Sequence, residues 1–509
     1  MNRRALVLPL VLLSLNVGSA QSDSERAHEY LTEAVKQMGG EAALRALKTV
    51  RLEAIGHREM VEQSERPEGP YVVEYDHVIV QLRDLEHQRW KQTVTLNGGP
   101  FPDVTIDTVT AEGAAKKAFD HQVRPGSPDD LQSAQETLEL GPERVLFTAL
   151  AATDLRAEAD TVLQSVPHHV VDFTWRNLPV RLYLNSYTAL PTEVELQSAY
   201  PSNTYWSGWG DVTTRLFYSL WWLCPGGIHY PKQWDFERNG LPDHFLTITK
   251  ISTNVEFPVD AFAISADEKA AFEKRRGTLD DRPLGIPNQP AVEVAKDIVH
   301  IPGAWNVTLV RQSDGIVVVE APFSSGYSVK VLAEAGRRWP GVPVKAVIST
   351  SDSWPHIAGV REYVARGIPV YALDLNVAIL SRLVAAPRTR FPDALARNPK
   401  KPDFRVVAGK TLLGAGPNRI EIYPLRGETS ERQMMVYFPE HHLLYGSDPF
   451  QKNEQGYTFP QTVWELAHAV QREKLSVDTF FMMHIGPTPW SVLPKAIEEA
   501  EQAPAASKP

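Results

Sequence analysis

Between about Phe257 and Pro290 the chain changes character, and that change limits what it can fold into more than any other feature. Asp267 to Arg276 form a charged, helical-looking stretch, and Pro283, Pro287 and Pro290 follow in quick succession. Proline fixes its own φ and has no backbone donor, so three at this spacing interrupt regular structure and suit a join between units. A chain of 509 residues also exceeds what one core usually serves. Two folding units are therefore expected, over 21–256 and 291–495, with 257–290 as the linker between them.

The first unit opens with an amphipathic helix, Ser24 to Met38, stopped by Gly39 and Gly40, and a shorter helix, Glu41 to Leu47. From Thr49 onward the pattern is that of strands. Tyr71 to Leu82, Arg89 to Leu96, His169 to Phe173, Val180 to Asn185, Thr192 to Gln197, Thr213 to Leu220 and Phe245 to Val255 alternate or run β-branched and aromatic, with turn residues between. Helices gathered at the start and strands in succession describe an α+β domain with a large antiparallel sheet. Two phrases, Asn185-Ser-Tyr-Thr-Ala-Leu-Pro-Thr-Glu-Val-Glu and Gly227-Ile-His-Tyr-Pro-Lys-Gln-Trp-Asp-Phe-Glu-Arg-Asn-Gly, resemble exported half-barrel domains related to the outer-membrane lipoprotein carrier fold. That resemblance implies a strongly curved sheet wrapped around helices and a lipid-like or other small apolar ligand. The aromatic cluster Tyr205, Trp206, Trp209, Phe217, Tyr218, Trp221 and Trp222 either lines such a cavity or packs as ordinary core.

In the second unit strands alternate with helices. Strands Asp297 to Ile301, Asn306 to Gln312 and Ile316 to Glu320 precede a helix, Ser328 to Trp339; strand Val344 to Ser349, a loop, helix Ile357 to Arg366 and strand Ile368 to Ala372 follow. The loop reads Val347-Ile-Ser-Thr-Ser-Asp-Ser-Trp-Pro-His-Ile-Ala-Gly. From Thr350 to Gly359 it is similar, in register, to the metallo-β-lactamase signature Thr-His-x-His-x-Asp-His-x-x-Gly. Ser351 and Ser353 stand where the first two histidines belong, Pro355 stands for the aspartate, and His356 is kept. Three later blocks continue the resemblance: Gly427-Glu428-Thr429 for Gly-His-Thr, the run Met435 to Pro439 with Leu443-Leu-Tyr-Gly-Ser-Asp448 for a strand followed by Leu-x-x-x-Asp, and His484-Ile-Gly486 for the final histidine. The fold implied for this half is an αββα metallo-β-lactamase-like sandwich, preceded by the α+β domain with its large curved antiparallel sheet.

The resemblance also implies where metal would sit. Sites of that family hold two ions through imidazoles and carboxylates and make a water nucleophilic by lowering its pKa. Here the first position is left with Ser351, Ser353 and Glu428; serine hydroxyls bind zinc poorly, and it is expected to be empty. The second position keeps His356, Asp448 and His484, two imidazoles and a carboxylate, enough for one zinc, iron or manganese ion. With a metal, the domain is a hydrolase acting on an ester, amide or phosphoester, with Asp352 or Glu428 as the base. Without one, it is a non-catalytic descendant whose motif loop binds a ligand. A third reading places the activity in the first domain, as carrier of an apolar molecule. The pair His441 and His442 sits in a turn between two strands and is expected to face solvent.

The N-terminus sets the compartment. Arg3 and Arg4 precede the apolar run Ala5 to Leu15, and Gly18, Ser19 and Ala20 lead into Gln21, the pattern of a signal peptide over 1–20. The run is well short of the ~20 residues a spanning helix needs, and no cysteine follows the expected cleavage point, so a periplasmic or secreted chain without a transmembrane anchor is expected. Removing the segment takes away two arginines and no acids, making the formal charge of −10 more negative by two and disfavouring nucleic acid as a partner. Cys224 is the only cysteine, which excludes an intramolecular disulfide, and it reads as a structural core residue. Residues 496–509, rich in Ala, Glu and Pro, read as a disordered tail.

Overall fold

In the computed structural model residues 22–97, 104–117, 122–449, 452–453, 456–457 and 460–502 are described. The expected signal segment 1–20 and the end of the tail, from 503, lie outside them.

The first helix, Asp23–Gln37, starts where Ser22 and Glu25 cap each other's backbone, and it buries Ala27, Leu31, Ala34 and Val35. It stops at Gly39, whose φ is +123°; a Cβ there would lie 2.6 Å from the Gly227 carbonyl oxygen, so only glycine lets the helix end press on that turn. The chain then enters a 14-stranded sheet, antiparallel at every pairing. Its centre joins the first strand, Thr49–Glu59, to the last long one, Leu241–Thr253, and hairpins extend from this pair in both directions.

Two helices, Pro128–Glu139 and Val145–Leu150, lie mid-chain between the two runs of hairpins. This corrects the expectation that helices gather at the start. The signal was local: Ser127 and Asp130 form a second capping box, with Pro128 at the first helical position. One cavity is lined by the Pro128–Glu139 helix, by Ala114 and Lys116 of strand Gly113–Lys117, and by Val194 and Leu196 of strand Pro191–Ala199. Those two strands stand eight steps apart in the sheet. In a flat sheet they would be roughly 38 Å apart at about 4.8 Å per step, so the sheet curls around the helix.

The expected linker is packed at both ends. In helix Ala266–Lys274, Phe272 joins the core of the first domain, while Asp280 accepts from the Gly326 backbone of the second at 2.8 Å and Lys330 donates to the Asp280 carbonyl.

The second domain is built from two sheets. Seven strands run from Val292–Ala295 to Phe404–Val407, antiparallel at first and parallel from Gly315–Val319 onward. Six more run from Thr411–Leu413 to Thr488–Pro489. Period-two alternation sends Val310, Val317, Val319 and Ile348 of the first sheet and Ile422, Val436, Phe438 and Phe481 of the second into one shared core. On the outer face of the first sheet, Leu309, Ile316, Val318 and Val347 pack with helices Ser325–Arg338, Val360–Arg366 and Val377–Ala385. On the outer face of the second, Tyr423, Met435 and Leu444 pack with helices Pro460–Arg472 and Val492–Gln502. The layers are helix, sheet, sheet, helix. The last helix carries regular structure past residue 495, because Leu493 and Ala496 are part of that packing; the tail expected from 496 begins no earlier than 503.

The domains share a core. Tyr200, Trp206, Trp209 and Val212 of the first join the helical layer of the second, where Trp206 and Trp209 each meet Trp354 edge-on at 4.9 Å. The aromatic cluster named above therefore divides: Trp206 and Trp209 form the junction, Tyr218 packs in the first core, and Trp222 is exposed. No helix among the described residues is long and apolar enough to cross a membrane.

Candidate metal centre

The site lies where both sheets of the sandwich end. Strand Val344–Ser349 runs out into the motif loop, and Thr350 is stitched to the other sheet: its carbonyl accepts from the Met434 backbone at 2.9 Å and from Ser447 Oγ at 3.2 Å. Strands Leu443–Tyr445 and Thr479–Phe481 are parallel neighbours, so the loops leaving them emerge side by side. One carries Asp448 and the other His484. A short helix, Trp354–Ile357, turns His356 inward from the motif loop until it is fully buried.

His356, Asp448 and His484 come together there. One ligand atom from each lies within 4.8 Å of the others. His484 Nε2 is 3.0 Å from Asp448 Oδ1, and His356 Nε2 is 3.4 Å from Asp448 Oδ2. His484 Nδ1 donates to the Ala304 carbonyl at 2.9 Å, which fixes the ring and turns Nε2 toward the cluster. Neither ring nitrogen of His356 has a hydrogen-bond partner among the described residues. Burial lowers that imidazole to about 4 against the pull of Asp448, leaving it neutral with a free lone pair. For His484 burial acts the same way, but the Asp448 carboxylate and the Ala304 carbonyl outweigh it and raise the group.

Asp352 and Asp448 line one pocket of about 210 Å³, together with Ser351, Ser353, Thr429 and Arg432. Burial pushes the Asp352 carboxyl up to about 7, opposed by the Arg432 charge. Ser351 and Ser353 are buried beside each other, with Ser351 Oγ accepting from the Ser353 backbone at 3.2 Å. Glu428 is not brought in: it is exposed and does not line the pocket. Glu465 explains why, since it holds the neighbouring loop by accepting from the Thr429 backbone and hydroxyl, each at 3.0 Å, and from Ser430 Oγ at 2.5 Å. His441 and His442 lie at the turn before strand Leu443–Tyr445, at the opposite end from the loop that carries Asp448.

Two parts of the site escaped sequence reasoning. Glu320 ends an all-apolar strand, is fully buried at φ +80°, and accepts a hydrogen bond from Thr350 Oγ1, which also lies 2.7 Å from Ser447 Oγ. Burial pushes its carboxyl up to about 8. A charged residue closing the run Ile316 to Val319 was the available signal. The second part is a roof supplied by the first domain: Met60, Gln63, Ser64 and Val72 line the same pocket, and the Glu62 carbonyl accepts from the Trp354 backbone at 3.3 Å. Reciprocal ion pairs, Arg66 with Glu431 at 2.8 Å and Arg432 with Glu68 at 3.0 Å, border it.

No family profile and no curated protein matches the chain. Among solved structures it is similar to a stereoselective inverting sec-alkylsulfatase from Pseudomonas sp., at 13% identity and a TM-score of 0.33, over 43% of this chain and 42% of that one. It is similar also to a metallo-β-lactamase from Erythrobacter litoralis, at 16% identity and a TM-score of 0.31, over 42% of this chain and 95% of that one. A metallo-β-lactamase from Pontibacter korlensis gives 16%, 0.32, 42% and 99% on the same measures. The chain thus spans about two fifths of the alkylsulfatase's length. Likeness at this level adds nothing to the layer order. That order defines the class: an αββα sandwich with a donor cluster at the edge where both sheets end. That αββα layering is the one the resemblance of the motif loop, in register from Thr350 to Gly359, led one to expect for this half.

Proposed function

We propose that the chain is an exported hydrolase of the metallo-β-lactamase-like class that works with one metal ion, zinc or else iron or manganese, held by His356, Asp448 and His484. The observation that carries this reading is convergence: three segments distant in sequence bring two imidazoles and a carboxylate within 4.8 Å. The donor set fits such an ion, because the fully buried imidazole of His356 makes no hydrogen bond through either nitrogen and has only the Asp448 carboxylate, 3.4 Å from Nε2, for company, at a cost of about 1–3 kcal/mol for a donor left without a hydrogen bond. When bound, the ion supplies a Lewis acid and lowers the pKa of water at the site. The protein's own groups do the rest. Ala304 sets the tautomer of His484, the bonds from Met434 and Ser447 to the Thr350 carbonyl hold the motif loop against the second sheet, and the 60–72 segment excludes bulk water from above. Asp352, titrating near neutrality, accepts a proton at its carboxylate and returns it to a leaving group. An ester, amide or phosphoester suits this chemistry. The 1–20 segment supports export, which N-terminal sequencing of the periplasmic protein tests.

The test of the site is metal content by elemental mass spectrometry on protein purified without chelator or metal-binding tag, beside the His356→Ala, His484→Ala variant. About one ion per chain, lost in the variant, is the expected result. Protein that stays metal-free after incubation with zinc, iron and manganese overturns the hydrolase reading in favour of a non-catalytic binding domain.

A further inference from the structure

The cavity inside the curled sheet has the composition of a binding site. Its volume is about 270 Å³, and its walls carry Trp90, Val109, Leu196, Leu216, Trp234 and Phe236. None of the seven residues of the sequence's aromatic cluster lines it. Apolar walls alone would describe an ordinary core defect; the ionisable groups set among them do not.

Six such groups face the cavity: Asp107, Lys116, Asp130, Glu136, Arg238 and His244. Lys116 serves two acids at once, with Nζ 3.5 Å from Asp107 and 3.3 Å from Asp130. Arg238 answers Asp243, just behind the wall, at 3.7 Å, and lies over the rings of Tyr200 and Trp206. His244 is stacked on Phe236 at 3.8 Å and turns its Nδ1 to the same Asp243. The acids are in surplus. Glu136 makes no ion pair among the described residues and accepts only from Gln132 Nε2 at 2.8 Å and Tyr200 OH at 3.2 Å. Asp107 is already engaged, since its Oδ1 is the atom that faces Lys116 Nζ. Burial raises the Glu136 carboxyl to about 7 against the hydrogen bond from Gln132 and the Arg238 charge.

We propose that this cavity binds a cationic amphiphile, an apolar body carrying a protonated amine, with Glu136 as its counter-charge. An ammonium donates up to three hydrogen bonds and accepts none, which matches a wall that offers carboxylate oxygens. A fatty acid would add a further carboxylate to a cavity already rich in them.

The experiment is titration calorimetry of the full chain with decylamine, decanoate and decanol, each below its micelle concentration. Decylamine is expected to bind at least tenfold more tightly than the other two. Glu136→Gln keeps the side chain's size and its neutral hydrogen bonds, and is expected to abolish most of that preference while decanol binding stays. Leu216→Trp fills the cavity and is expected to abolish binding of all three, with an unchanged thermal transition showing that the fold persists. Equal or tighter binding of decanoate, or a preference unaltered in Glu136→Gln, overturns the proposal.

Discussion

Two positions a few residues apart at the edge of the sandwich have come to differ in kind. At one, His356, Asp448 and His484 bring two imidazoles and a carboxylate together, one ligand atom from each within 4.8 Å of the others. At the other, Ser351 and Ser353 satisfy or bury their own hydroxyls, Pro355 offers no donor, and Glu428 faces solvent. Both share the same loop and the same two sheets, so the fold cannot be the cause. The difference lies in what holds each donor. Ala304 orients His484, and burial keeps His356 neutral; Glu465 has fixed the 427–430 loop with Glu428 turned outward. A metal position depends on the groups behind its ligands as much as on the ligands.

The largest expected effect removes the shared carboxylate. Asp448→Asn should lower metal affinity by at least about 100-fold, measured by competition with a chelating dye, since loss of even an outer partner costs about 10–100-fold. An affinity within a factor of three of the parent would mean that the two histidines bind alone and that the position is not the three-donor site described above.

Glu320 comes next and sharpens the role of the supporting groups. Its folded value is raised to about 8 from an ordinary 4.5, so the unfolded chain releases this proton first. Its contribution to stability is therefore fully present below about 4.5 and is lost as pH rises toward 8, at no more than about 1.4 kcal/mol per pH unit. Glu320→Gln cannot ionise and should flatten that loss, gaining on the parent by the order of 1–3 kcal/mol between pH 5 and 8 in urea unfolding. Parallel curves for the two proteins would show that Glu320 is ionised in the fold.

A smaller effect belongs to the roof. Arg66→Ala and Glu68→Ala each break one exposed cross-domain ion pair and should cost less than about 1 kcal/mol, shrinking further in 1 M salt. The roof rests instead on Val61, buried in the shared core, and on the main-chain bond from Trp354 to Glu62. A loss above 2 kcal/mol that salt erases would show that charge holds it.

What could be read in advance follows the range of the interactions. The strands of the second domain were legible because period-two runs are local signals, whereas the trio His356, Asp448 and His484 came from the family resemblance of the motif blocks. The helix Pro128–Glu139 was also signalled locally, by Ser127 and Asp130, yet it lay in a stretch read for strands. Neither the Met60–Val72 roof nor the division of the aromatic cluster had a local signature. Both depend on contacts between residues more than 140 positions apart, such as Trp206 with Trp354 and Glu62 with Trp354. Glu428 failed for the same reason: its spacing matched the motif, but Glu465, 37 positions on, decides where its loop points.

The smallest expected effect is none at all, and it tests the comparison most directly. Ser351→His with Ser353→His restores two of the imidazoles that the motif lacks. If ligand identity alone made the difference between the two positions, the ion count would rise from one toward two. It should stay at one, because both positions are buried among close-packed neighbours and the third donor remains outside on a loop that Glu465 ties down. Adding Glu428→His should leave the count unchanged while Glu465 is intact. A second ion bound by the two-histidine variant would show that the supporting groups are dispensable and that the serines alone emptied the position.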